Sequence, residues 1–72
     1  MYFYQRIGDL RNDRDKKQLE IAMLLKITQQ QYSLYESGKR EIPFHTAIEL
    51  ANYYKVSLDY LAGISNDPTP KT

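Results

Sequence analysis

Residues 18–40 read QLEIAMLLKITQQQYSLYESGKR, and the spacing predicts two short helices joined by a tight turn and followed by a basic exit. Ile21, Ala22 and Leu25 fall at i, i+1 and i+4, on one helical face. Lys26 and Ile27 break that pattern. Thr28 is a good N-cap, because its hydroxyl accepts an orphan backbone N–H at the start of a new helix. The second helix is predicted over 29–36, with Tyr32 and Tyr35 facing inward at i, i+3. Gln29, Gln30, Gln31, Ser33 and Leu34 occupy its other face. Ser37-Gly38 stops it, with Gly38 suited to a left-handed position just past the end.

Two helices joined so closely cannot fold back antiparallel. They must cross steeply, and Ala22 is small enough to let them approach, which is helix-turn-helix geometry. The segment resembles the Cro/C1-type (XRE) family of bacterial and phage regulators. Gln18, Ile21, Ala22, Leu25, Ile27, Thr28, Tyr35, Glu36, Gly38 and Lys39 fall in register with the family's pattern. Tyr32 stands where the family usually has an aliphatic residue, and Lys26 where it usually has glycine in the turn. Lys26 then either adopts a left-handed conformation, at a cost of roughly 1 kcal/mol, or the turn departs slightly. The likeness runs from about Phe3 to the stretch VSLDYLAG at 56–63, nearly the whole chain.

The resemblance implies an all-α, compact five-helix bundle of the lambda-repressor-like DNA-binding type, with helices 2 and 3 forming the helix-turn-helix. It implies a sequence-specific transcriptional regulator, a repressor, that reads the major groove with helix 29–36. By the same resemblance the first, second and sixth positions of that helix touch bases: Gln29, Gln30 and Leu34. The chemistry suits the task. A glutamine amide offers a donor and an acceptor together, matching adenine N6 and N7, and a leucine can meet a thymine methyl. Gln18, at a helix N-terminus that favours anions, is the family's phosphate position. Lys39 and Arg40 follow the recognition helix and are the other phosphate candidates. Arg11 and Glu36 match a pair that in the family fixes the recognition helix against helix 1. Small modules of this kind bind near-palindromic operators as homodimers, so double-stranded DNA and a second copy are the expected partners. Helix 5 is the expected dimer surface, with Tyr54 and Tyr60 either its aromatic anchors or part of the local core. The alternative is an antitoxin-like or other protein-interaction module, in which the same fold serves an unknown protein partner.

Elsewhere the apolar period places a first helix over 3–14, with Phe3, Ile7 and Leu10 in its stripe. Gly8 weakens that helix by about 1 kcal/mol. Asp15-Lys16-Lys17 departs from the family's usual connection and predicts looser packing there. Leu19 and Met23 form an i, i+4 pair away from Ala22, as an exposed patch or as cover for the aromatic N-terminus. Pro43 suits the start of a helix over 44–54, with Phe44, Ala47, Ile48, Ala51 and Tyr54 as its stripe and Leu50 beside it. Ser57 caps a last helix, Asp59 favours its dipole, and Gly63 ends it. The domain is therefore expected to span 1–63, and the proline-bearing 64–72 to form a flexible tail.

Seventy-two residues make one domain, near the lower limit for unaided folding. Cysteine is absent, which excludes a disulfide framework and a thiolate zinc site. The single histidine, His45, suits a solvated surface. No phosphate loop, paired-carboxylate site or metal spacing occurs, so neither an enzyme nor a cofactor is expected. No apolar run approaches a membrane span and no signal peptide is evident, so a cytoplasmic, nucleoid-associated protein is expected. The net charge is only +1, but it is segregated. Residues 1–15 are neutral, residues 16–40 carry +3, and residues 41–72 carry −2. The basic part coincides with the helix-turn-helix, as nucleic-acid binding requires.

Overall fold

The computed structural model describes residues 4–70. Its elements in order are α1 (Gln5–Asp13), α2 (Gln18–Leu25), α3 (Gln29–Glu36), α4 (Phe44–Tyr54) and α5 (Leu58–Ala62). The all-helical, five-helix architecture is the one the resemblance implied. Phe3, placed in the stripe of helix 1, and the aromatic start at Met1 and Tyr2 lie outside the described residues, as do Lys71 and Thr72.

α1 ends one residue before the predicted boundary, with Arg14 as its C-cap. The Arg14 side chain leaves the helix to donate from Nη2 to the Tyr54 carbonyl at 2.9 Å. A cation there complements the exposed carbonyls at the C-terminus of α4. The core gathers Ile7 and Leu10 of α1, Ile21, Ala22 and Leu25 of α2, Tyr32 and Tyr35 of α3, Leu50, Ala51 and Tyr54 of α4, Val56 of the following link, and Leu61 of α5. Ala22 is fully buried and α2 and α3 pack more extensively than any other helix pair, because a methyl group at the crossing permits close approach. Leu19 and Met23 are exposed.

The face of α4 differs from the predicted stripe. Thr46, Leu50, Ala51 and Tyr54 are buried, whereas Phe44 is 73% and Ile48 36% exposed. The helix is apolar around more than half its circumference, so period alone does not choose the buried side. The i, i+4, i+8 set Thr46, Leu50 and Tyr54 meets the core instead. Tyr54 is thus a core residue at 1% exposure, which removes it as a dimer anchor. Tyr60 is half-buried against the core, with the Arg6 guanidinium 4.1 Å above its ring, so it too serves local packing.

Residues 64–70, read from composition as a flexible tail, fold back along α5. Arg6 Nη1 donates to the carbonyls of Tyr60, at 2.8 Å, and of Ser65, and its Nη2 donates to Asn66 Oδ1 at 2.8 Å. The Ser57 N–H donates to the Pro68 carbonyl at 3.0 Å.

The turn between α2 and α3 is strained at one residue. Lys26 is left-handed, with φ 61° and ψ 40°, and its N–H reaches the Ala22 carbonyl. Lys55 closes α4 in the same conformation, and Asp15 adopts it at φ 56°. Asp tolerates this region better than Lys. Glycine meets it without the Cβ clash, at the expense of a more disordered unfolded chain. Lys26→Gly is expected to stabilise the domain by up to about 1 kcal/mol, raising Tm by about 4–8 °C. Thermal denaturation checks this, and an unchanged or lowered Tm would show the turn to be unstrained.

Candidate nucleic-acid interface

The recognition helix begins where Thr28 Oγ1 accepts the Gln31 N–H at 3.0 Å. That cap satisfies one of the helix's orphan donors and fixes its first turn. Tyr32 and Tyr35 are buried, at 0% and 5% exposure. The opposite side of α3 is therefore obliged to face outward. Gln29 and Gln30 are exposed there, one turn before the half-buried Ser33 and Leu34. Gln31 is committed elsewhere, since its Nε2 donates to the Tyr35 hydroxyl at 3.1 Å. After α3, Ser37 caps the helix and donates from Oγ to the Leu34 carbonyl at 3.2 Å. Gly38 takes φ 81°, and Lys39 and Arg40 are exposed beyond it. The Arg40 N–H donates back to the Leu34 carbonyl at 3.1 Å, so this basic exit is tied to the end of α3.

The rigidity of this face comes from beneath it. Arg11 presents its planar guanidinium to Glu36, with Nη2–Oε1 at 2.7 Å and Nε–Oε2 at 2.9 Å. Both side chains are only 14% exposed. Such a two-pronged pair fixes orientation as well as distance. The remaining Nη1 donates to the Lys16 carbonyl at 2.8 Å, fastening the α1–α2 corner. Gln18 Nε2 donates to Glu36 Oε1 at 3.3 Å. An amide nitrogen carries two hydrogens, so Gln18 can brace Glu36 and still offer a donor outward from the N-terminus of α2. One carboxylate thus links α1, α2 and α3.

Burial pushes the Glu36 carboxyl up, but hydrogen bonds from its neighbours, Arg11 first, together with the Arg11 charge, outweigh it and hold the group below its ordinary value. The Glu36 hydrogen bond holds Arg11 further up, against partial desolvation. The Tyr32 hydroxyl is pushed up, by burial first and then by proximity to Glu36, although it makes no well-formed hydrogen bond.

Gly8 is part of this site, and the sequence reading assigned it only a helix penalty. A Cβ there would lie 3.2 Å from Glu36 Cγ and 3.3 Å from Oε1. Glycine therefore makes room for the carboxylate at the α1 surface. A glycine inside a helical pattern, three residues before a helix-facing arginine, is the signal that would have found it.

Among the described residues, no cluster of three or more His, Cys, Asp or Glu residues is arranged to hold a metal. No helix among them is long and apolar enough to cross a membrane.

A family model described as helix-turn-helix matches residues 7–61. The chain is 32% identical over 69 residues to the uncharacterized HTH-type transcriptional regulator YobD of Bacillus subtilis (strain 168), covering 96% of this chain and 62% of that protein. It is 38% identical over 66 residues to the uncharacterized HTH-type transcriptional regulator YqaE of the same organism, covering 90% of this chain and 57% of that protein. The chain thus spans about three-fifths of the length of these relatives. No solved structure matches it significantly.

Removing one member of the ion pair strands the other charge in a poorly hydrated site. Arg11→Met is expected to destabilise the domain by roughly 2 kcal/mol, beyond the value of an exposed pair. Because Glu36 is depressed in the folded state, the pair's contribution is complete above the ordinary carboxylate range. It is lost as the pH falls through the depressed value. Chemical denaturation of wild type and Glu36→Gln across the acid range tests both statements. A difference between the two that does not shrink towards low pH would show that Glu36 acts by packing alone.

Proposed function

The chain belongs to the Cro/C1-type (XRE) helix-turn-helix family of DNA-binding transcriptional regulators, and from that premise we propose that it is a repressor that binds a near-palindromic operator as a homodimer. One observation carries the base-reading assignment: the capped start of α3 presents Gln29 and Gln30 outward while Tyr32 and Tyr35 hold its other side in the core. In a major groove those two amides read adenine edges, and Leu34 completes the reading surface against a thymine methyl. Gln18, Lys39 and Arg40 clamp the phosphate strands on either side, setting register without choosing sequence. The protein works by binding rather than catalysis, in the cytoplasm, at the nucleoid.

The size of the domain supports pairing on DNA. Its extents are 31 × 25 × 20 Å. Half-sites one helical turn apart are separated by about 34–36 Å, so two copies with their long axes along the duplex meet end to end. A second reading, an antitoxin-like interaction module, is favoured by the exposed ridge of Leu19, Met23 and Leu24 on α2. It predicts a partner protein co-purifying in fixed stoichiometry.

Selection of bound sequences from a random DNA pool tests the proposal directly and reports the half-site spacing. Against the selected operator, Gln29→Ala and Gln30→Ala are each expected to lose about 1–3 kcal/mol of discrimination at one base pair per half-site. Affinity for unrelated DNA should change little, because every cationic contact remains. If specific and non-specific affinity fall together, the glutamines do not read bases. Lys39→Ala is expected to do the opposite, weakening binding to all sequences alike and reducing the salt dependence by about one unit of log–log slope. An unchanged slope would remove Lys39 from the phosphate clamp.

A further inference from the structure

We propose that the groove between α1, α4 and α5 is a binding site for a small apolar amine, an aromatic or aliphatic body carrying one protonated nitrogen. The groove has a volume of about 420 Å³. Small-molecule sites are apolar clefts of roughly 300–1,000 Å³ in which a few polar groups select the occupant. The groove shares no residue with Gln18, Gln29, Gln30, Leu34, Lys39 or Arg40. An occupant therefore leaves the proposed DNA contacts uncovered.

The core supplies the floor. Ile7, Ile42 and Leu61 line the groove and are 1%, 8% and 3% exposed, so the floor has the close packing and stiffness of the core itself. The walls are apolar but face water: Phe44 and Ile64 both line the groove and are largely exposed. Ile64 is held beside α5 by backbone bonds. The Asp59 carbonyl accepts its N–H at 2.8 Å and that of Ser65 at 3.2 Å, and Arg6 Nη1 donates to the Ser65 carbonyl. This wall is thus tied to α1 and α5 before anything binds. Apolar side chains held out in water around a recess with an apolar floor form a surface that gains by being covered.

The charge of the lining decides the class of ligand. Its two charged residues are Glu41 and Asp59, and no lysine, arginine or histidine lines it. Glu41 comes from the loop before α4 and has no hydrogen-bond or ion-pair partner among the described residues, whose ion pairs are Arg11–Glu36 and Lys16–Glu20. A carboxylate beside an apolar recess attracts a cation more strongly than one in open water, because the apolar walls lower the local dielectric. The same lining repels an anion and gives an uncharged ligand no electrostatic gain. An apolar body with an ammonium head satisfies the walls and Glu41 together.

The test titrates the full chain with 1-naphthylmethylamine, protonated at neutral pH, and follows backbone amide chemical shifts. The uncharged 1-naphthalenemethanol and the anionic 1-naphthoate serve as isosteres. An amine of about twelve non-hydrogen atoms is expected to bind with a Kd on the order of 1 mM, with saturable shifts at Ile42, Ala47, Leu58 and Ala62. The alcohol should bind about threefold more weakly, the scale of one solvent-accessible ion pair, and the naphthoate more weakly still. Glu41→Gln should bring the amine down to the level of the alcohol and leave the alcohol unchanged. Ala62 is exposed, so Ala62→Phe fills the recess from outside the core and should abolish binding of the amine and the alcohol alike. Thermal melting verifies the fold of both variants. An amine that shifts none of these amides, or binds no better than the naphthoate, would overturn the site. So would an unchanged preference for amine over alcohol in Glu41→Gln. Shifts of the same amides on diluting the ligand-free protein would assign the groove to a second copy of the chain, and would overturn it also.

Discussion

The fork between Arg11 and Glu36 is the constraint on which the rest of the domain depends. Each of the first three helices is too short to persist alone, and their mutual angles must be held for α2 and α3 to form a helix-turn-helix. One carboxylate does this for all three. It takes two bonds from Arg11 on α1 and one from Gln18 on α2, while Arg11 holds the Lys16 carbonyl at the corner between them. The carboxylate sits at the last residue of α3, the helix end where a negative charge is least welcome. Arg11 neutralises that conflict as well as setting the geometry. Gly8 concedes helix propensity so that the carboxylate can approach.

Apolar packing and the ion pair divide the work. Burial of Ile21, Ala22, Leu25, Tyr32 and Tyr35 supplies the non-directional drive that brings α2 and α3 together. It also chooses which side of α3 faces outward, because Tyr32 and Tyr35 hold the other side in the core. The two-pronged pair adds a directional constraint at the C-terminal end of α3, fixing orientation as well as distance. On the proposed reading by Gln29 and Gln30, orientation matters because a bidentate amide–adenine contact requires two coplanar hydrogen bonds at once.

The helix-turn-helix was legible because its signals are local and redundant: the cap at Thr28, the stop at Gly38, the inward tyrosines and the small Ala22 each constrain the same few turns. The span of α4 was legible too, but its buried face was not, since its apolar residues cover more than half the helix and only the shape of the remaining core selects Thr46 and Leu50 over Phe44 and Ile48. The course of residues 64–70 was not legible for a different reason. Arg6 finds backbone carbonyls at Tyr60 and Ser65, and every residue carries one, so no side-chain pattern announces the contact. A proline-bearing polar segment then reads as disordered on composition. The role of Gly8 is hidden likewise, because it is room for an atom 28 residues away in sequence.

The chain has seven tyrosines and no tryptophan, and among the described residues Tyr32 and Tyr54 are the most deeply sealed. Tyr32 and Tyr54 are almost wholly inaccessible. Tyr54 is pushed up to about 12 by burial and its neighbour Tyr53, and burial holds Tyr32 un-ionised as well. Neither phenol can release its proton readily while the core is closed. In an alkaline titration followed by ultraviolet absorbance, the ionisation of Tyr32 and Tyr54 therefore reports the opening of the core. The domain thus carries its own optical gauge of core integrity, with one chromophore lodged in the recognition helix itself.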